Sequence, residues 1–360
     1  MLAPDVLMTY PSSPPPAHSP APTEDIFTQP HRPIAVSRSE GNMFVPGPNT
    51  GNSSIRARVA MGETMRMQRN AGTSRNPLEK YTKATMPMIH DAIPTALYDN
   101  IDPDLLDVWD ASPGEKVLIS PFDNIANELS KHDAVRDLIL SAVTDITKAN
   151  HFSVSTPIPC GEQIPTTFLV YNLSQPQKEA LLERYVWAST PITFRATPTD
   201  PPCPNFLFSI KGLGTMITKD VHDMVHAIWH DNKTTSFITN LINSAPLTDR
   251  RQLTTDLQNF IDSLHVIRLD TKGRGNTLAP HFRVFSEGSI IKVDDIWSQI
   301  RTFLADRTYT DYLIGRGIVK VSPYKCTLCH GVDHPRGLCP FPTIKGWNGP
   351  TNNRNERGRL

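Results

Sequence analysis

Three cysteines and a histidine crowd into one short stretch, Cys326, Cys329, His334 and Cys339, with the spacing C-x2-C-x4-H-x4-C. Thiolates and an imidazole are soft and borderline donors. Four of them make a closed tetrahedral zinc site, with sulfur about 2.3 Å and nitrogen about 2.0–2.1 Å from the ion. The first two cysteines form a knuckle, and the two four-residue loops let a short chain wrap one ion, so the spacing predicts one structural Zn2+. His330 competes with His334 for the fourth position, but ligation directly beside Cys329 is sterically poor, which favours His334. With Cys160 and Cys203 the chain holds 5 cysteines, an odd and clustered set that suits a reducing intracellular compartment better than a disulfide framework. Cytoplasm and nucleus are not distinguished.

This spacing resembles the zinc knuckle of retroviral and retrotransposon Gag nucleocapsid proteins and of several cellular RNA-binding proteins. The longer string from Cys329 through Cys339-Pro-Phe-Pro, with Gly346-Trp347 after it, is similar to a group of fungal, transposon-related Gag-like proteins, as are the stretches 168–187 and 205–212. The resemblance implies Cys326, Cys329, His334 and Cys339 as zinc ligands and a nucleic acid as partner. Such knuckles usually carry Gly after the second Cys and before the His, and an aromatic after the first Cys that stacks on a base. Here those places hold His330, Asp333 and Thr327. A base-stacking platform contributes about 1–3 kcal/mol per base, so recognition is expected to weaken or to move to Tyr324, Phe341 and Trp347 just outside the knuckle.

Lys320, Lys325, Arg336 and Lys345 flank the ligands, with Arg316, Arg354, Arg357 and Arg359 further out. Cations interleaved with aromatics serve a single-stranded nucleic acid through phosphate contact and stacking, so single-stranded RNA is the expected ligand. The plainer alternative is a solvated basic tail. Phe168–Leu173 loosely resembles an RNA-recognition-module strand, but Leu169 stands where the stacking aromatic belongs. Asp294-Asp295 fit a helix start, where anions are favoured, better than a polymerase carboxylate pair. No protease, nucleotide-loop or deaminase pattern is present. A non-catalytic protein without a small-molecule substrate is expected.

The net charge of +0 conceals an asymmetry: Lys plus Arg against Asp plus Glu is 7 to 2 over residues 51–90, 4 to 12 over 91–150, and 9 to 3 over 307–360. Phosphate should therefore meet the flanks rather than the acidic stretch. The 33 prolines and the aperiodic, Pro/Ser-rich start predict a disordered arm that turns basic towards residue 90. Residues 91–132 read as an acidic linker or docking segment, 133–306 as an α+β domain, 307–325 as a basic linker, 326–339 as the knuckle and 340–360 as a disordered basic tail.

Within the domain, apolar residues at three- and four-residue spacing predict a helix from Asp133. From Phe168 the order is β-α-β-β-α-α-α-β-β-α. Its first half suggests a ferredoxin-like or RRM-like antiparallel sheet with extra helices. No apolar run is long enough for a membrane span. The leading expectation is a zinc-dependent, Gag-like nucleic-acid-binding protein whose central domain handles protein contacts, including self-association. Its rivals are a protein-interaction or assembly module in which the knuckle is a structural staple, and a cellular mRNA-processing factor.

Overall fold

The computed structural model describes residues 80–273 and 277–352, and the arm at 1–79, Arg274 and the arginines beyond 352 lie outside it. Two larger antiparallel sheets carry the fold, the first of five strands and the second of four.

The first sheet is built from β1 (Glu115–Pro121), β2 (Ser153–Ser155), β3 (Phe168–Leu173), β4 (Val186–Ala188) and β5 (Thr193–Thr197). Between β1 and β2 runs α2 (His132–Thr147), whose Val135, Ile139, Ala142, Val143 and Ile146 form the expected stripe. It ends where Lys148 turns left-handed at φ 58°. α3 (Gln175–Leu182) follows β3, and Gln177 accepts the Ser174 amide at 2.9 Å as its capping-box pattern requires. Both helices bury Val117, Ile119, Phe168, Val170 and Phe194 on one face of the sheet. The opposite face is closed too. α1 (Pro103–Ala111), capped by the Asp102 carboxylate, lays Leu105 and Trp109 on Leu118 and Leu169.

The segment 91–132 is thus more than an acidic linker, because it supplies both α1 and the central strand β1. β1 shows no alternation because both of its faces are buried, and its apolar content shrinks to Val117-Leu118-Ile119.

The second sheet joins β6 (Phe206–Lys211), β7 (His265–Lys272), β8 (Leu278–Phe285) and β11 (Ile318–Lys320). β6 was expected beside the strands before it, but it pairs with β8 and leaves the first sheet altogether. α4 (Thr218–Trp229), α5 (Asn232–Ser244), α6 (Arg250–Asp262) and α7 (Asp294–Ala305) pack on one face around Phe208, Trp229, Phe260, Phe282 and Trp297. The expected linker 307–325 holds the small hairpin β9 (Thr310–Asp311) and β10 (Gly315–Arg316) and then β11.

Residues 80–92 form an ordered strap, so the expected disorder does not extend to residue 90. Tyr81 stands edge-on to Trp187 with ring centres 5.2 Å apart. Asp91 pairs with buried Arg195 of β5 at 2.8 and 3.1 Å. Further on, Arg301 of α7 donates to the carbonyls of Ala92, Leu207 and Val321, tying the strap to the second sheet. Among the described residues no helix is long and apolar enough to cross a membrane.

Candidate metal centre

The knuckle is closed by its own backbone. The Cys326 amide donates to the Gly331 carbonyl at 2.8 Å, and the His330 amide returns to Cys326 at 2.8 Å. This loop requires a left-handed residue after the second cysteine, the reason glycine suits that place, and His330 adopts it at φ 68°. Its ring then bonds the Pro121 carbonyl through Nε2 at 3.0 Å, and burial lowers its pKa. A neutral imidazole donates that bond, so His330 faces away from the thiols.

The structure brings together Cys326, Cys329, His334 and Cys339, all buried, with ligand atoms within 4.8 Å of one another. His334 is oriented for ligation. Its Nδ1 lies 2.8 Å from Asp333 Oδ1, which leaves Nε2 turned to the sulfurs, 3.5 Å from Cys329 Sγ. Asp333 Oδ2 in turn accepts from Arg283 of β8 at 2.7 Å. A carboxylate that fixes the ligand histidine's tautomer and raises its basicity is the usual outer partner in zinc sites. Sequence reasoning missed Asp333 in this role and Arg283 altogether. An acidic residue immediately before the ligand histidine was the available signal for the first, whereas nothing local marks the second.

Electrostatically the donors are poised for a cation. Burial opposes the charged form of His334, but its bonds to Asp333 and to the sulfurs of Cys326 and Cys339 outweigh it and raise the pKa to about 11. Hydrogen bonds from Cys329 and Cys339 hold the Cys326 thiol well below its ordinary range, and the same contacts with burial push Cys329 up. Bringing a dication among these groups displaces the remaining protons. Three sulfurs and one oriented nitrogen, shut off from solvent, could hold one metal ion, and the donor set fits zinc.

The centre is no appendage. Towards the first sheet, the Leu328 carbonyl accepts the Asp123 amide at 2.8 Å, and Arg336 bonds Asp123 Oδ1 at 2.6 Å. On the strap side, the Val332 amide donates to His90 at 2.9 Å. Val332 also packs with Phe206 and Phe285 of the second sheet, beside the Arg283–Asp333 pair. The residues 326–339 therefore bridge both sheets.

Of the residues expected to meet nucleic acid, Lys320, Lys325 and Lys345 are exposed. Tyr324 is half-buried, its ring 5.4 Å from His281. Phe341 is fully buried, edge-on to Phe122 at 5.1 Å, because the turn after Cys339 drives it into the core under the cysteines. It cannot stack on a base. Arg336 is likewise committed, with its guanidinium held by Asp123 and by the Thr327 and Thr351 carbonyls. Trp347 is half-buried against Phe341 and donates Nε1 to Pro350 at 2.9 Å. The start of the expected disordered tail is thus packed, with the Asn348 amide 2.9 Å from Thr82 Oγ1 of the strap.

A cleft of about 320 Å³ opens beside the centre, between the strap, the β7–β8 face and the knuckle. Met88, His90, His265, Ile267, Arg283 and Phe285 line it with Asp333 and His334. His265 lies flat on Phe285, ring centres 4.9 Å apart. Comparison with protein-family profiles, with characterised proteins and with solved structures finds no match to this chain.

Proposed function

We propose that the Cys3His centre holds one zinc ion as a structural staple, and that the chain is a non-catalytic, Gag-like binder of single-stranded nucleic acid. The contact surface in this reading is the second sheet's outer face beside the centre, not the rings of the knuckle. One observation carries it: residues directly opposite on neighbouring strands share a face, and two such rows on this sheet set Lys320 and Lys211 beside Arg283, which is paired with Asp333. Lys320, Ser209, Arg283 and Ile267 form one row, and Ile318, Lys211, His281 and Leu269 form the next. Tyr324 and the His265–Phe285 stack add ring surfaces at the margins. Sheet order also supports a ferredoxin-like reading of the first sheet, since β1-α2-β2-β3-α3-β5 runs as β-α-β-β-α-β with the order β2-β3-β1-β5. That unit starts two strands earlier than the order read from Phe168 in the sequence.

Fluorescence anisotropy with a labelled single-stranded RNA across a salt series tests the reading. Binding should fall with a log-log slope of about −2 to −4, for three to five phosphates engaged. Lys320→Glu with Lys211→Glu should abolish it while zinc content stays at one equivalent. If the zinc-loaded chain binds no RNA at any salt, the protein-interaction reading takes its place. A specific feature favours that second reading: the β9–β10 turn presents Tyr312 and Leu313 essentially fully exposed, at 104% and 96%.

A further inference from the structure

The two larger sheets end in four edge strands, and these are not alike. β2, β4 and β11 are each three residues long, a length that offers another chain little to pair with. β7 runs for eight residues without a proline and pairs with β8 through an unbroken register. It lies at the end of the order β11-β6-β8-β7, and among the described residues its backbone bonds to no backbone other than that of β8. A strand turns alternate amides and carbonyls to either side, so one row of donors and acceptors along β7 is open.

Long edges are commonly blunted by charge, and β7 carries Arg268 and Asp270. Their signs are opposite and their spacing is two, which puts both on one face of the strand, where Arg268 Nε donates to Asp270 Oδ1 at 2.7 Å. Charges of one sign would repel a second copy of the same strand. This pair does the reverse in a single register. With two β7 strands antiparallel about a two-fold axis at Leu269, Arg268 of each copy stands opposite Asp270 of the other, and Ile267 opposite Thr271. Moving the axis to residue 268 sets Arg268 against Arg268, and moving it to residue 270 sets Asp270 against Asp270. An axis between two residues is excluded by the pleat, because it would oppose side chains of different faces.

We propose that β7 is a self-association edge, through which two copies of the chain join their second sheets into one continuous sheet. The charge pattern names the occupant, since only a second β7 meets both Arg268 and Asp270 with the opposite sign. The two-fold axis stands perpendicular to the sheet. Both sets of helices therefore fall on one side, and both outer faces, with Lys211 and Lys320, on the other. Contact along one edge is narrow, so the dimer is concentration-dependent. The inference does not rest on nucleic-acid binding, because it asks only that β7 be free.

Analytical ultracentrifugation of the full, zinc-loaded chain across a concentration series tests it, with circular dichroism as the check on folding. A monomer–dimer equilibrium is expected. Arg268→Asp and Asp270→Arg should each weaken it by about tenfold or more, since each replaces two attractive pairs by two like-charge pairs. The double variant Arg268→Asp/Asp270→Arg should restore it, and Tyr312→Ser in the exposed β9–β10 turn should leave it unchanged. Should a single variant fail to fold, hydrogen exchange of the wild-type chain carries the test: amides within 266–272 should exchange more slowly as concentration rises. A chain that stays monomeric throughout, a dimer insensitive to both single variants, or a double variant that stays weak overturns the β7 edge.

Discussion

The two sheets differ in what lies on the face turned away from their helices. On the first, α1 covers it with Leu105 and Trp109 and presents Asp104, Asp107 and Asp110 to solvent. On the second, helices cover one face only, and the other carries Lys211, His281, Arg283 and Lys320, partly roofed by the knuckle. The same two-layer chemistry therefore ends in one closed, acidic surface and one partly open surface that carries Lys211 and Lys320. The lesson concerns division of labour. A sheet buried on both sides is a frame, whereas a sheet with a free face has side chains to spare for a partner.

The comparison breaks most severely if the element joining the two sheets is removed. Stripping the metal, or Cys326→Ser with Cys329→Ser, should cost the largest share of stability, since structural zinc contributes about 10–16 kcal/mol in small domains. Calorimetry should show the single unfolding transition split or shifted far down. An unchanged transition would sink the staple. Next in size, Asp91→Ala strands the buried Arg195 guanidinium without its partner, and should destabilise by about 3–5 kcal/mol in urea unfolding. Arg195→Met with Asp91→Ala should recover part of that loss.

The two faces can then be weighed with matched chemistry. Leu118→Ala, in the closed face, should cost about 2–5 kcal/mol. Ile267→Ala, 41% exposed on the accessible face, should change stability by about 0.5 kcal/mol or less. Equal losses at the two sites would mean that the second face is covered after all.

The smallest effect is a pH dependence. Burial lowers the pKa of His90, with Arg283 acting in the same direction and Asp333 against it. Between that lowered value and the unfolded value of about 6.5, the unfolded chain binds a proton that the folded chain refuses, so stability is full above about pH 6.5 and falls as pH drops below it. The slope is at most about 1.4 kcal/mol per pH unit, and His90→Gln should flatten it in urea midpoints measured with zinc content monitored.

The clustering of Cys326, Cys329, His334 and Cys339 was legible because the geometry of a metal site is written into local spacing. Most of the element order from Phe168 onward was legible too, but the short strand β4 (Val186–Ala188) was not, because Val186 reads as the end of the apolar stripe of the helix before it. Strand partnership was not legible, because β6 pairs with β8 across a distant stretch of chain and the apolar pattern of either strand suits many neighbours. β1 hid for the opposite reason: a strand buried on both sides has no period to read. Arg336 and Phe341 look like contact residues in sequence, since a cation and an aromatic beside a knuckle have the right chemistry. Only the tertiary neighbours Asp123 and Phe122 show them to be structural.

The position of the staple along the chain also sets an order of manufacture. Both sheets, β11 included, are synthesised before Cys326 is reached, and the groups the knuckle grips, Pro121, Asp123 and Arg283, all precede it. Domains tend to fold as they emerge from the ribosome. The sheets must therefore wait until the knuckle arrives to grip Asp123 and Arg283. If the centre holds zinc as proposed, newly made chains without the ion would have both sheets formed and linked by the strap at Arg195 and Arg301 but lack the knuckle's clamp.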